Sequence, residues 1–481
     1  MKAILINPPR FGNLKVIRED RCEITERDSV LPPMSLIQMA AYLRNQGHEI
    51  KVLDANGFDQ GPEEVVSWIE RNSDAKVLIS RFTPTTIKND TFLFSSAKRI
   101  NNHIITIGIC WTTRTQGKKV LESIPNLDIY VTGDTIDGVC EAIDAIENHR
   151  AIRNGANLLA FRDHYDLMIS QENHRHITIE EIGIPAYDLL PSIEPYYANT
   201  RYRAPYTVIY SSKGCPFRCS YCTVAGTNVD LRSAESVMAE IDFLVAKYGL
   251  RSFTFFDETF TLNRDRAFEI CSTLRERSYN LSWFCNTRSD LIDQDLLRIM
   301  HESGCEGISL GIESGNQTIL DLCQKGTSVE SNASAIRAAK RIGLRVFASF
   351  IVGLPGETKD TIEDTIRFIK NTRPNGIEVN IAVPYPGTRL FESFSKENPE
   401  LLLIDWNTLQ QDSPSCSLCG LPLSFLSDMR IRLYKSLYLN PMYFIENAVS
   451  ILSSPSQTPL ALRFILKTMR NLFFFSMKGA H

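Results

Sequence analysis

The run Cys215-Pro216-Phe217-Arg218-Cys219-Ser220-Tyr221-Cys222 places three cysteines within eight residues, directly after the apolar stretch Tyr206–Ser212. A strand feeding such a loop delivers three thiols to one end of a sheet, which fits a metal-cluster loop. Four-iron cubanes normally take four protein thiolates, so three with no fourth cysteine close by leave one iron open to another ligand. Zinc is the competing occupant. Structural zinc, however, prefers two Cys-x₂₋₄-Cys pairs or a Cys/His tetrahedron, and no histidine lies between Cys215 and His301. A chance grouping of buried thiols is the remaining alternative.

The chain around this loop has 481 residues, more than one ordinary core, so two or three domains are expected. With 43% hydrophobic and 22% charged residues it reads as a soluble globular protein. A net charge of −4 gives no electrostatic case for nucleic acid as a partner. No run of ~18 uncharged apolar residues is present, which argues against a transmembrane segment. Twelve scattered cysteines point to reduced thiols and a cytoplasmic setting.

Residues 1–150 alternate short apolar strands with helices, the rhythm of a doubly wound parallel sheet. Ligands of such sheets sit beyond the carboxyl ends of the strands. That rule nominates the loops Asn7–Arg10, Asp54–Gly57, Ser80–Pro84, Gly108–Trp111 and Gly133–Asp134. Residues 151–200 are rich in charge and proline and read as a linker. From 201 to 395, six strand candidates (Tyr206–Ser212, Ser252–Phe256, Ser282–Asn286, Gly307–Leu310, Val346–Ile351 and Ile377–Ile381) alternate with helices. Six βα units predict a partial (β/α)6 barrel of the TIM type, with functional groups at the C-terminal strand ends. Residues 396–481 read as a helical accessory region. The fold class expected is therefore α/β, a Rossmann-like domain plus a partial barrel and a small helical C-terminal region.

The Cys-x₃-Cys-x₂-Cys spacing, with aromatic Tyr221 before the last cysteine, resembles the radical S-adenosylmethionine (SAM) superfamily. The resemblance implies that Cys215, Cys219 and Cys222 hold a [4Fe-4S] cluster whose open iron chelates the methionine moiety of SAM. One electron then generates a 5′-deoxyadenosyl radical. It places Asp257 and Glu258 beside the methionine amino group, where an ammonium needs acceptors; an acidic helix cap is the other reading. Arg288 is a candidate partner for the methionine carboxylate, or else forms a buried salt bridge. Gly311-Ile312-Glu313-Ser314-Gly315 resembles the family's SAM-contacting segment, with Glu313 accepting from ribose hydroxyls. Gly353-Leu354-Pro355-Gly356-Glu357 suits a sharp bend at the cofactor face.

Residues 1–150 resemble the cobalamin-binding domain of one subfamily, through Asn7-Pro8-Pro9, Pro32-Pro33-Met34-Ser35-Leu36, Gly47-His48-Glu49-Ile50 and Thr132-Gly133-Asp134. Asn7, Ser80, Gly108 and Gly133 are the contacts this implies. The Asp-x-His-x-x-Gly signature is absent, so no axial histidine is named, and a domain without cobalamin stays open. His48 and His103 read as structural. Cys416-Ser417-Leu418-Cys419 suits buried thiols better than a second cluster, and Leu460–Met477 a docked amphipathic helix, or peripheral membrane contact.

The function this implies is methylation of an unactivated carbon through the adenosyl radical and methylcobalamin. Cyclisation, ring contraction or oxidative rearrangement, with or without cobalamin, is the alternative. Expected partners are a small-molecule or natural-product substrate and an electron donor such as flavodoxin or ferredoxin, with no nucleic acid.

Overall fold

The structure, a computed structural model, describes residues 1–12, 14–19, 23–24, 29–83, 85–110, 117–132, 135–148, 159–163, 166–169, 176–198, 203–398 and 416–452. Five parallel strands, Lys2–Asn7, Glu49–Asp54, Val77–Arg81, Ile105–Ile109 and Ile129–Val131, build the first sheet in the spatial order second, first, third, fourth, fifth. This is the flavodoxin-like order of a doubly wound sheet, whose switch point lies between the first and third strands. Alternate residues feed opposite faces. Ala3 and Leu5 pack with helices Met34–Asn45 and Thr135–Glu147. Ile4 and Ile6 pack with Pro62–Glu70 and Phe92–Ile100 on the other side.

Residues 151–200, expected as a linker, depart from that reading. Leu159–Asp163 and Asp166–Ile169 form an antiparallel hairpin that extends the first sheet from Ile129–Val131. A short charged hairpin is tolerated there because it is the edge of the sheet. Further on, Ile177, Ile179, Ile182, Tyr187, Leu190, Ile193 and Tyr196 all enter the main core. The proline series signals turns within a buried strap. Tyr196 Oη donates to Asp54 Oδ2 of the first sheet at 2.8 Å, and Tyr187 Oη to Glu240 Oε1 of a barrel helix at 2.7 Å.

The second sheet contains six parallel strands in sequential order: Tyr206–Ile209, Ser252–Phe255, Ser282–Thr287, Cys305–Glu313, Arg345–Val352 and Gly376–Ile381. This is the expected partial barrel. The first strand is shorter than anticipated, because Ser212–Lys213 leaves it to pair with Asp230–Leu231 as a two-stranded ribbon. Each of the seven helices from Ala234 to Glu397 starts on a side chain that accepts a backbone N–H: Ser233, Asn263, Asp293, Asn316, Ser328, Thr358 and Thr388. In the fifth strand Val346, Ala348, Phe350 and Val352 are buried in the main core, while Phe347, Ser349 and Ile351 between them are only half-buried. Glu378 and Asn380 of the sixth strand repeat the pattern. A closed barrel fills its interior with branched side chains; this one keeps polar, partly exposed positions inside.

Helix Leu423–Tyr438 covers the open side of the last strand. Arg430 Nε donates to Val379 O at 2.8 Å, and Tyr434 Oη accepts from Val379 N at 3.0 Å. An exposed edge is thereby closed.

The buried strap gives a stability prediction. Glu240 is fully buried between Tyr187 and the guanidinium of Arg232, itself 1% exposed. Glu240→Ala leaves that cation uncompensated and should cost about 3–5 kcal/mol, whereas Tyr187→Phe should cost about 1 kcal/mol. Chemical denaturation of the two variants distinguishes them.

Candidate active site

The cysteine loop spans the gap between the two strands of its ribbon. Gly214, at φ +86°, makes the entry turn, where a Cβ would stand 1.8 Å from Asn228 O; only glycine fits. Cys215 N donates to Thr227 Oγ1 at 2.9 Å, Gly226 N to Phe217 O at 2.7 Å, and Cys222 N to Cys219 O at 3.2 Å. Ser220, between the cysteines, is held from both sides. Its N–H donates to Cys323 O at 2.9 Å, and its carbonyl accepts from Leu390 N at 2.8 Å. The loop is thus fastened to segments that follow the fourth and sixth barrel strands.

The three thiols lie in one another's electrostatic range. Burial pushes the Cys222 thiol up to about 12, with Cys219 and Cys215 adding to the rise. Burial also raises Cys215, with Cys219 and Glu258 contributing. Two cations offset this: Arg288 acts on Cys215 and Lys325 on Cys222. Among the described residues no three His, Cys, Asp or Glu side chains converge as a single-ion site. A cubane asks for something different, because its corners lie apart and each thiolate meets its own iron. Three soft thiols on one loop, balanced by two cations, fit that donor set.

Lys325 went unnoticed in the sequence. Its Nζ donates to Glu313 Oε1 at 2.9 Å, with both side chains less than a tenth exposed. Glu313 ends the fourth strand at φ +64°, beyond a register shift, a left-handed conformation uncommon for a non-glycine residue. Glu313 and Cys219 both add to the burial that holds the Tyr221 hydroxyl well above its ordinary pKa. Cys323, also unremarked, is buried behind the loop, and burial pushes its thiol up to about 12. No local pattern marks either residue; both follow the fourth strand by about ten positions and return to it through the short helix Gln317–Leu322.

Several expected ligands have other partners. Asp257 accepts from Ser211 N at 2.7 Å and from Ser211 Oγ and Ser212 Oγ at 2.6 Å each, so it clamps the first strand's end instead of facing an ammonium. Glu258, half-buried, is the carboxylate that acts on Cys215. Arg288 forks onto Asp290, both contacts at 2.9 Å, donates to Lys325 O at 3.0 Å and stacks 3.6 Å from the Phe217 ring centroid. It forms the salt-bridge alternative and braces the loop. Ser314 is fully buried, its Oγ 3.3 Å from Thr365 Oγ1. At Gly353 a Cβ would stand 2.9 Å from Leu426 Cδ1, so this turn packs against the C-terminal helix.

The first sheet's contacts are likewise drawn inward. Asn7 Nδ2 donates to Asp54 Oδ1 at 2.7 Å, and Ser80 Oγ to Ile6 O at 2.9 Å. A Cβ on Gly108 would meet Phe82 at 2.7 Å and Leu127 at 2.9 Å, a packing need instead of a ligand approach. Gly133 lies outside the described residues, as do His164, His174 and the segment 460–477. His48 sits 3.3 Å from the N-terminal amine and 3.4 Å from Glu147, and His176 bonds Asp137 at 3.0 Å; these roles are structural. Cys416 and Cys419 pack against apolar clusters. The two sheets do meet: Val383 and Tyr385, after the last barrel strand, enter the same apolar cluster as Ile4, Ile6 and Phe82.

Residues 209–369 match the family model described as the Radical SAM superfamily. It is 28% identical over 451 residues to an uncharacterized methyltransferase of Pyrococcus horikoshii, covering 93% of this chain and 94% of that one. It is 28% identical over 370 residues to an anaerobic magnesium-protoporphyrin IX monomethyl ester cyclase of Rubrivivax gelatinosus, covering 75% and 66%. Its fold is shared with the radical SAM methyltransferase TsrM from Kitasatospora setae, solved with cobalamin and a [4Fe-4S] cluster bound. That likeness has a TM-score of 0.65 at 16% identity over 82% of this chain and 75% of the other.

The buried Lys325–Glu313 pair is open to a direct measurement. Lys325→Ala strands a buried carboxylate and should cost about 3–5 kcal/mol. Adding Glu313→Ala should recover part of that loss, so a double-mutant cycle by denaturation should return a coupling of about 1–3 kcal/mol.

Proposed function

We propose that the protein is a cobalamin-dependent radical SAM methyltransferase acting on an unactivated carbon of a small molecule. The observation that carries this reading is the loop of Cys215, Cys219 and Cys222, flanked by Arg288 and Lys325 and facing Glu313 across the barrel mouth. These cysteines would hold the [4Fe-4S] cluster. When bound, the cluster supplies one electron for reductive cleavage of SAM, and methylcobalamin supplies the methyl group.

The chain's own residues orient and exclude. Arg288 and Lys325 favour thiolates over thiols, the state a cluster requires. Glu258, which acts on Cys215, would accept from an ammonium there, and Glu313, held by Lys325, would accept from a hydroxyl pair. The half-buried polar positions Ser349, Glu378 and Asn380 stand on the strand faces where a ligand would lie. The loop carrying Val383 and Tyr385 packs against the first sheet, beyond whose strand ends cobalamin would sit. Walls of this kind matter because an adenosyl radical abstracts hydrogen from any accessible C–H bond. An electron donor such as flavodoxin or ferredoxin would complete the cycle.

Cyclisation or oxidative rearrangement is a second reading, favoured by the likeness to the magnesium-protoporphyrin cyclase. Anaerobic reconstitution followed by iron, sulfide and corrinoid quantification tests the cofactor set. Cobalamin absent after reconstitution would remove the methyltransferase reading, and methyl-labelled SAM that leaves no label in product would favour the cyclase type. Cys219→Ala should lose bound iron and 5′-deoxyadenosine formation together. Since burial raises the Cys215 and Cys222 thiols, cluster assembly must release protons, and its rate should climb as pH rises above neutrality; stopped-flow absorbance records this.

A further inference from the structure

Nine large apolar side chains stand exposed among the described residues, and four of them fall within seven positions: Leu439 (59%), Met442 (49%), Phe444 (40%) and Ile445 (55%). Scattered singly, such residues need no explanation; a contiguous patch does. Helix Pro441–Leu452 turns its other side inward, where Tyr443 Oη donates to Asn375 O at 2.9 Å and Glu446 accepts from Lys340 and Arg373 at 2.8 Å each. The apolar side is therefore left outward by a helix that is otherwise well anchored.

Leu439 also lines a cleft of about 410 Å³ between helices Lys359–Thr372 and Leu423–Tyr438, together with Lys370, Arg432 and Lys435. Arg432 is paired with Glu363, and Glu446 is taken by its two cations. Lys370 and Lys435 have no acidic partner among the described residues. Apolar patch and unpaired cations thus share one border. The chain beyond this point repeats the composition: residues 447–481 hold Arg463, Lys467, Arg470 and Lys478 and no Asp or Glu.

We propose that this end of the molecule docks on an anionic lipid surface. Leu439, Met442, Phe444 and Ile445 enter the boundary between headgroups and acyl chains, and Lys370 and Lys435 meet lipid phosphates. Interfacial binding combines these two terms, buried apolar area and attraction to anionic headgroups. The apolar residues of 460–477 are the competing cover, but docking them here would bring Arg463, Lys467 and Arg470 toward Lys370 and Lys435 with no Asp or Glu of their own to offset the repulsion. A second copy is a poor one too, because four half-exposed side chains fall short of the ~800 Å² per partner that a stable interface buries. No helix among the described residues is long and apolar enough to cross a membrane, so the contact is with its surface.

The full-length protein, sedimented with vesicles of phosphatidylcholine alone or mixed with phosphatidylglycerol, provides the test. Binding is expected to the mixed vesicles only, and to be released by salt. Met442→Ser with Ile445→Ser should weaken partitioning about tenfold or more. Lys370→Gln and Lys435→Gln should each weaken it about fivefold. Peroxide footprinting of the unsubstituted protein gives an independent readout: Met442 should oxidise readily in solution and be protected by the mixed vesicles. Absence of sedimentation, sedimentation indifferent to the substitutions in variants that melt like the parent, or Met442 already protected without vesicles would each overturn the proposal. The last outcome would show the patch covered by the chain itself or by a second copy.

Discussion

Thiols buried side by side resist ionisation, and the loop after the first barrel strand carries three of them. Each thiolate lost from water raises the cost of the next. The structure answers with two cations on separate segments, Arg288 after the third strand and Lys325 behind the fourth. Neither is a loose counter-ion. Arg288 is braced by Asp290, the Lys325 carbonyl and the face of Phe217, while Lys325 is tied to Glu313. One compact arrangement thus links the loop, the backbone bulge at Glu313 and the barrel rim.

The sheets and the cysteine loop were legible in the sequence because they are written in short-range signals: the alternation of apolar strands with helices, and cysteine spacing. The roles of polar residues at the strand ends were harder to read. Asp257 stands where an acceptor was expected, yet two neighbouring serines satisfy it first. Whether a carboxylate at a strand end faces a ligand or its own chain depends on partners about 45 residues away, which no local pattern encodes. Lys325 illustrates the converse, a buried charge whose partner is twelve positions upstream and reached only through the fold.

The strap from 176 to 198 was misread for a related reason. Proline and charge signal irregular backbone, but irregular backbone can be either solvated or interred. Here Ile179, Tyr187 and Ile193 alternate with the prolines, and burial of those side chains decides the matter. Gly108 and Gly353 teach the same lesson on a smaller scale. Both have close neighbours, but those neighbours are Phe82, Leu127 and Leu426, not an open face.

That strap also governs how the molecule comes apart. It reaches a carboxylate of the first sheet through Tyr196 and a barrel helix through Tyr187, with apolar residues threaded into both halves. Cutting the chain between sheet and barrel would leave one fragment with an unfilled trough and the other with a greasy tail. The strap therefore ties the two halves together, and a movement of one against the other would have to carry those two tyrosine contacts along or break them.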